Sequence, residues 1–178
     1  MNISVISGSA RPLRQSHQVA LSLIGKLEKL KIENWLWDVK ESNLPLLDYA
    51  FESHPEPGEG LRSLKPKLDS TDAFIIVSPE HNGSYPGSLK NSIDYFATEY
   101  ANKPFGIISI SSGVLGGINA IKNLQQYILK LNGIVCPQFL ITPKVQTLFD
   151  NGNLIDDSYE HRLDEFIANF LRFSDKVS

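Results

Sequence analysis

Cysteine is almost missing from this 178-residue chain, which has Cys136 alone. A single thiol cannot close an intramolecular disulfide or build a thiolate metal cluster. Set between Val135 and Pro137, it reads as a small packed side chain rather than a nucleophile. Long hydrophobic runs are missing too, and no window approaches the roughly 18 apolar residues of a membrane span. The first residues carry neither the charged region nor the apolar stretch of an export signal. No Lys/Arg cluster offers a nucleic-acid face. His17, His54 and His161 lack metal-ligand spacing and read as surface or capping side chains. A GxxxxGK(S/T) loop and a GxGxxG fingerprint are both absent, which sets aside the phosphate loop of NTPases and the dinucleotide fold. Without those glycines, Asp38 is a poor ribose-binding acid. The expectation is a soluble protein of the reducing cytoplasm, with no nucleic-acid, membrane or metal partner.

What is present suits one globular unit. Apolar residues make up 42% and charged residues 21%, and a net charge of −3 is too mild for disorder. A chain of this length buries roughly 70% of its unfolded surface as one domain. No internal repeat is visible, and residues 1–178 read as a single domain.

Strand and helix patterns alternate five times. Ile3 to Ser7 reads as a strand, followed by a helix from about Ser16 to Lys31 with Ser16 as its N-cap. Glu33 to Val39 is a second strand; Trp35, Trp37 and Val39 share one face, and the more polar opposite face suggests an edge. Residues 40 to 58 form a long loop, and such loops are often functional or mobile. A helix from Glu59 to Asp69 follows, which Pro66 should kink or split. Phe105 to Ser109 is a fourth strand; Ile121, Leu124, Ile128 and Leu131 mark the next helix, with Gly133 suited to its C-terminal cap. Ile134 to Ile141 is a fifth strand, with Pro137 placing it at an edge. An Asp150-Asn151-Gly152-Asn153 turn leads to a last helix along Leu163, Phe166, Ile167, Phe170 and Leu171. Alternation of this kind makes a parallel sheet with helices on both faces.

The third unit is the most distinctive. The unbroken run Ala73-Phe74-Ile75-Ile76-Val77 has the character of a strand buried on both faces. After it, Pro79, Asn82, Gly83, Ser84, Pro86 and Gly87 form a dense turn, and Leu89, Ile93, Phe96 and Tyr100 form an apolar stripe at helical spacing. In open α/β sheets ligands sit beyond the carboxyl ends of the strands, where this turn lies. The turn after the first strand, Gly8 to Gln18, pairs the free N–H groups of a helix start with two serine hydroxyls and Arg11, chemistry that suits a phosphate monoester. Taken alone, it could equally be a serine-capped helix with a stray arginine.

Pro79 to Phe96, PEHNGSYPGSLKNSIDYF, resembles the PEYNGSYPGxLKNAIDW segment of NADPH-dependent FMN reductases, which are flavodoxin-like and include azo- and quinone-reducing members. GSxR followed by Ser resembles the FMN-phosphate loop of the same family. The resemblance implies a flavodoxin-like α/β three-layer sandwich with a five-stranded parallel sheet in the order 2-1-3-4-5. It carries over Ser9, Arg11, Ser16 and Gln18 as phosphate contacts, with His17 in the same cofactor-binding set. Pro79, Glu80, His81, Asn82, Gly83, Ser84 and Tyr85 would edge the flavin ring, and Ser112, Gly113 and Gly116 would approach it from the next turn. Arg14 is not fixed by the motif and reads as solvated. Glu80 reads as a loop-ordering or subunit-contact carboxylate rather than a proton donor. His81 stands where the family usually has Tyr, and acceptor choice or pH dependence is where that difference should show.

The implied chemistry is hydride transfer from NADPH or NADH through FMN to free flavin, a quinone or an azo compound, with no side chain assigned as catalytic. Family sites are commonly completed by a second subunit, so a homodimer or homotetramer is expected. Tyr85, Trp35, Trp37 and the 40–58 loop are open to that role or to plain packing. The rival readings are a non-enzymatic FMN electron carrier and a flavodoxin-fold scaffold without cofactor. Carriers usually show a strongly acidic docking face and a phosphate loop without this arginine.

Overall fold

The computed structural model describes residues 1–177. Its elements run β1 (Asn2–Ser7), α1 (Gln15–Lys29), β2 (Glu33–Asp38), α2 (Val39–Ser42), α3 (Glu59–Asp69), β3 (Ala73–Pro79), α4 (Gly87–Asp94), β4 (Pro104–Ile110), α5 (Ile118–Lys130), β5 (Ile134–Val135), β6 (Leu140–Thr142), β7 (Phe149–Asp150), β8 (Asn153–Leu154) and α6 (Asp157–Val177). The main sheet is parallel, in the order β2-β1-β3-β4-β5, with β6 also paired to β4. This is the expected 2-1-3-4-5 order.

Both faces of the central strands are covered, which explains their unbroken hydrophobicity. On β3, Ala73, Ile75 and Val77 join a core with Leu23 and Leu27 of α1 and Leu163 and Phe170 of α6. The alternating residues Phe74 and Ile76 join a second core with α3, α4 and α5 through Leu64, Leu89 and Leu124. Register is fixed by this alternation, with Ile3 opposite Ala73 and Ser7 opposite Val77. β2 is at the edge, and only Trp37 on it is fully buried. The two tryptophans are satisfied internally: Trp35 Nε1 donates to Thr71 Oγ1 at 2.9 Å and Trp37 Nε1 to Ser42 Oγ at 3.1 Å.

Several elements differ from expectation. The fifth strand is two short pieces, because the chain leaves the sheet around Pro137 and returns at Leu140. α3 runs unbroken through Pro66. α4 stops at Asp94, so Phe96 and Tyr100 lie beyond it, although both remain buried in the second core. Gly133 shares the cap of α5: Asn132 takes the left-handed conformation (φ 58) and bonds Leu129 O, while Gly133 N–H reaches Ile128 O at 3.0 Å. The 40–58 segment is tied down. Asn91 Oδ1 accepts from Leu47 N–H at 2.9 Å, its Nδ2 donates to Pro45 O at 2.7 Å, and Phe51 N–H donates to Tyr95 O at 2.8 Å.

Candidate functional site

β1 and β3 are neighbours, but the chain leaves them toward opposite layers, into α1 and α4. A crevice opens where such paths diverge. There a cleft of about 280 Å³ is walled by Ser9, Arg11 and Ser16 from the first turn, Pro79, Glu80 and His81 from the second, and Ser112 from the turn after β4. Three separate sequence segments therefore meet at one place.

The first turn is held to the sheet by Gly8 N–H, which donates to Val77 O at 2.9 Å. Ser9 Oγ accepts from Arg11 N–H at 3.3 Å. Ser16 is not the helix cap. The N-cap position is Arg14, which makes no side-chain cap bond, and the first turn of α1 has no acidic residue. The Arg14 guanidinium is engaged elsewhere, reaching Asp38 at the end of β2. Both side chains are nearly buried, at 8% and 10% exposure, so Arg14 is not the solvated residue expected. Ser16 lies one residue inside α1, with its hydroxyl buried and without a partner. His17 and Gln18 face an adjacent depression lined by Asp38 and Lys40, outside the main cleft. His17 Nδ1 lies 3.3 Å from Asp38 Oδ2, and burial, the largest influence, holds its imidazole below the usual pKa.

The second turn is a miniature hairpin. His81 N–H donates to Ser84 O at 2.7 Å and Ser84 N–H to His81 O at 3.1 Å. Asn82 (φ 49) and Gly83 (φ 82) both occupy left-handed space, as a type I′ turn requires, and Asn-Gly is the pair that adopts it most readily. Asn123 Nδ2 pins the tip by donating to Gly83 O at 2.8 Å. Glu80 is a loop-ordering carboxylate, accepting from Asn119 N–H and Asn119 Nδ2, each at 3.0 Å. Because Asn119 lies in the first turn of α5, Glu80 also supplies the negative charge that a helix start favours. His81 faces the cleft opposite Arg11. Burial first, and then the Arg11 charge, push its pKa below the ordinary 6.5. Tyr85 turns away, stacked on Tyr127 with ring centroids 5.5 Å apart, and with Ser84 it borders a different depression.

The third turn contributes Ser112, but Gly113 and Gly116 do not line the cleft. Gly116, at φ 59, packs against Ile141 and Pro143. Sequence reasoning missed Asn119 and Asn123, because each is defined by a partner about forty positions away, 39 and 40 residues respectively. A polar amide just after a glycine-rich turn was the only local sign. Among the described residues, no group of three or more His, Cys, Asp or Glu is placed to hold a metal.

The profile of the family described as NADPH-dependent FMN reductase matches residues 1–147. A quinone reductase of Pseudomonas putida is 29% identical over 176 residues, covering 95% of this chain and 92% of its own. An FMN-dependent NADPH-azoreductase of Staphylococcus saprophyticus is 30% identical over 178 residues, covering 97% and 91%. Among solved structures, FerB, a flavoenzyme NAD(P)H:(acceptor) oxidoreductase from Paracoccus denitrificans, superposes with a TM-score of 0.81 at 26% identity, covering 99% of this chain and 98% of that one.

Proposed function

Since this chain belongs to the NADPH-dependent FMN reductase family, we propose that its cleft holds FMN and serves an NAD(P)H oxidoreductase acting on flavin, quinone or azo acceptors. The observation that carries this reading is a buried, unpartnered Ser16 hydroxyl beside an uncapped helix start, in the same cleft as the His81 hairpin. A phosphate monoester supplies the acceptors that this hydroxyl and the free N–H groups of the first turn lack. Ser9, Arg11 and Ser16 are the phosphate residues of this reading. The backbone from Pro79 to Ser84 and the Ser112 turn are its ring-side residues. Bound there, FMN supplies the hydride chemistry. The chain's part is to bind, orient and wall off; Glu80, held by Asn119, keeps the hairpin in place.

We also propose that residues 1–178 act as one FMN-binding domain in the cytoplasm and that a second copy covers the cleft. Leu13, Val114 and Leu115, at 96%, 73% and 68% exposure, stand out from the turns around it, and such side chains favour burial against a partner, as a homodimer or homotetramer provides. Among the described residues, no helix is long and apolar enough to cross a membrane.

The test is the absorption spectrum of the purified protein under anaerobic conditions. The expected result is a yellow protein bleached by NADPH and re-coloured by a quinone or azo dye. Yellow protein that NADPH leaves unchanged indicates an electron carrier, and colourless protein that takes up no FMN overturns the reading. His81 gives a second prediction. Burial and Arg11 favour its neutral form, so the imidazole gains its proton only as pH falls below 6.5. The rate profile of the wild type should inflect in that acidic range, and His81→Tyr should remove the inflection with FMN affinity within about twofold, since a neutral side chain is replaced by another. Superimposable profiles would take His81 out of the reaction.

A further inference from the structure

We propose that Arg14 is a second phosphate-directed cation of the cleft, a residue that makes the protein favour FMN over riboflavin; this rests on the FMN reading above. Its side chain is 8% exposed and lines the cleft wall with Ser16. A guanidinium has five N–H donors and no way to lose its charge. One nitrogen, Nη2, serves Asp38 and lies 3.4 Å from His17 Nδ1. Nε is buried and donates to nothing. Two buried polar groups without partners, Arg14 Nε and Ser16 Oγ, therefore belong to residues two positions apart that line the same cleft.

Asp38 does not account for this arrangement. Its Oδ1 accepts from Lys40 N–H at 3.0 Å, and its Oδ2 is shared between Arg14 and His17. Leaving a buried donor unpaired is unfavourable, and a charged one more so, unless a ligand completes it. Arg11 differs. It is exposed, so it loses side-chain freedom when it binds an anion. Arg14 is already ordered by Asp38 and loses little. The two arginines thus divide the work: Arg11 closes on the phosphate from solvent, while Arg14 waits in the wall.

The experiment uses apo-protein titrated separately with FMN and with riboflavin, followed by quenching of flavin fluorescence. Arg14→Met removes the cation. Arg14→Met with Asp38→Asn removes both members of the ion pair and leaves no lone buried charge, so it decides the matter where the single variant does not fold. The expected result is an FMN affinity lower by about tenfold or more, the size of one lost charge-assisted contact, with riboflavin affinity within about twofold. An unchanged FMN-to-riboflavin ratio, or equal loss for both flavins, shows that Arg14 only holds the loop and overturns the proposal. Wild-type protein that binds neither flavin removes the FMN reading and this proposal together. A wild-type preference for FMN that survives in the variants removes this proposal alone.

Discussion

Arg11→Ala is expected to weaken FMN binding about ten- to hundredfold, the equivalent of about 1.5–3 kcal/mol for a lost charge-assisted contact. The substitution reports on the ligand and not on the fold. Arg11 is exposed, and its one bond within the turn is made by its backbone N–H to Ser9 Oγ at 3.3 Å, which alanine retains. The melting temperature should therefore hold while the dissociation constant rises, and the salt dependence of binding should flatten because one screened charge is gone. The same change has a second consequence at the opposite wall. The Arg11 charge is one of the two causes that lower the His81 pKa, so its removal should move the acidic inflection of the rate profile upward, toward 6.5. Titration of apo-protein with FMN that shows no difference from wild type would remove Arg11 from the phosphate site.

How much of this was legible in the chain depended on whether the controlling interaction was local. The buried run at β3, the Asn82-Gly83 turn and the strand order rest on periodicity, turn chemistry and a long motif, and each stands in the structure as read. The start of α1 did not. Ser16 has the right chemistry for a cap, but the cap position falls on Arg14, whose side chain reaches Asp38, 24 residues away, and no local pattern encodes that pairing. The apolar stripe Leu89–Tyr100 has the spacing of one helix, but the helix ends at Asp94 and burial continues at that spacing beyond it. Pro137 is an edge signal in the sequence, and in the structure the strand is broken in two around it. Within the site, the cleft gathers Ser9, Arg11, Ser16, Pro79, Glu80, His81 and Ser112, but His17, Gln18, Asn82, Gly83, Ser84, Tyr85, Gly113 and Gly116 lie off its wall. Those eight share segments with the site, and proximity in sequence does not decide which way a residue faces.

Gly116→Ala is expected to destabilise the protein by about 2–5 kcal/mol, the sum of strain at a left-handed residue and overpacking. An added Cβ would lie 2.1 Å from Ile141 Cγ2 and 3.0 Å from the backbone nitrogen of Pro143, at a φ of 59. The Ile141 backbone is held in register opposite Ser109 by pairing with β4, and Cγ2 branches directly from Cβ, so it moves only with a change of the stiff χ1 rotamer. The Gly116 carbonyl is fixed as well, accepting from Ser109 Oγ at 2.7 Å. At about 2–4 °C per kcal/mol for a chain of this size, the melting temperature should fall by about 4–20 °C. The disturbance should also reach the cleft, because Gly117 caps α5 and Asn119, two residues on, holds Glu80. Gly113→Ala is the control from the same turn. It lacks a positive φ, and its added Cβ meets only Ser111 Oγ, at 3.4 Å, an ordinary contact that should cost no more than about 0.5 kcal/mol. Thermal melts of the two variants separate packing from ligand contact. A Gly116→Ala protein that melts with the Gly113→Ala protein but binds FMN much more weakly would mean that this glycine serves the flavin directly and that its packing against β6 matters little.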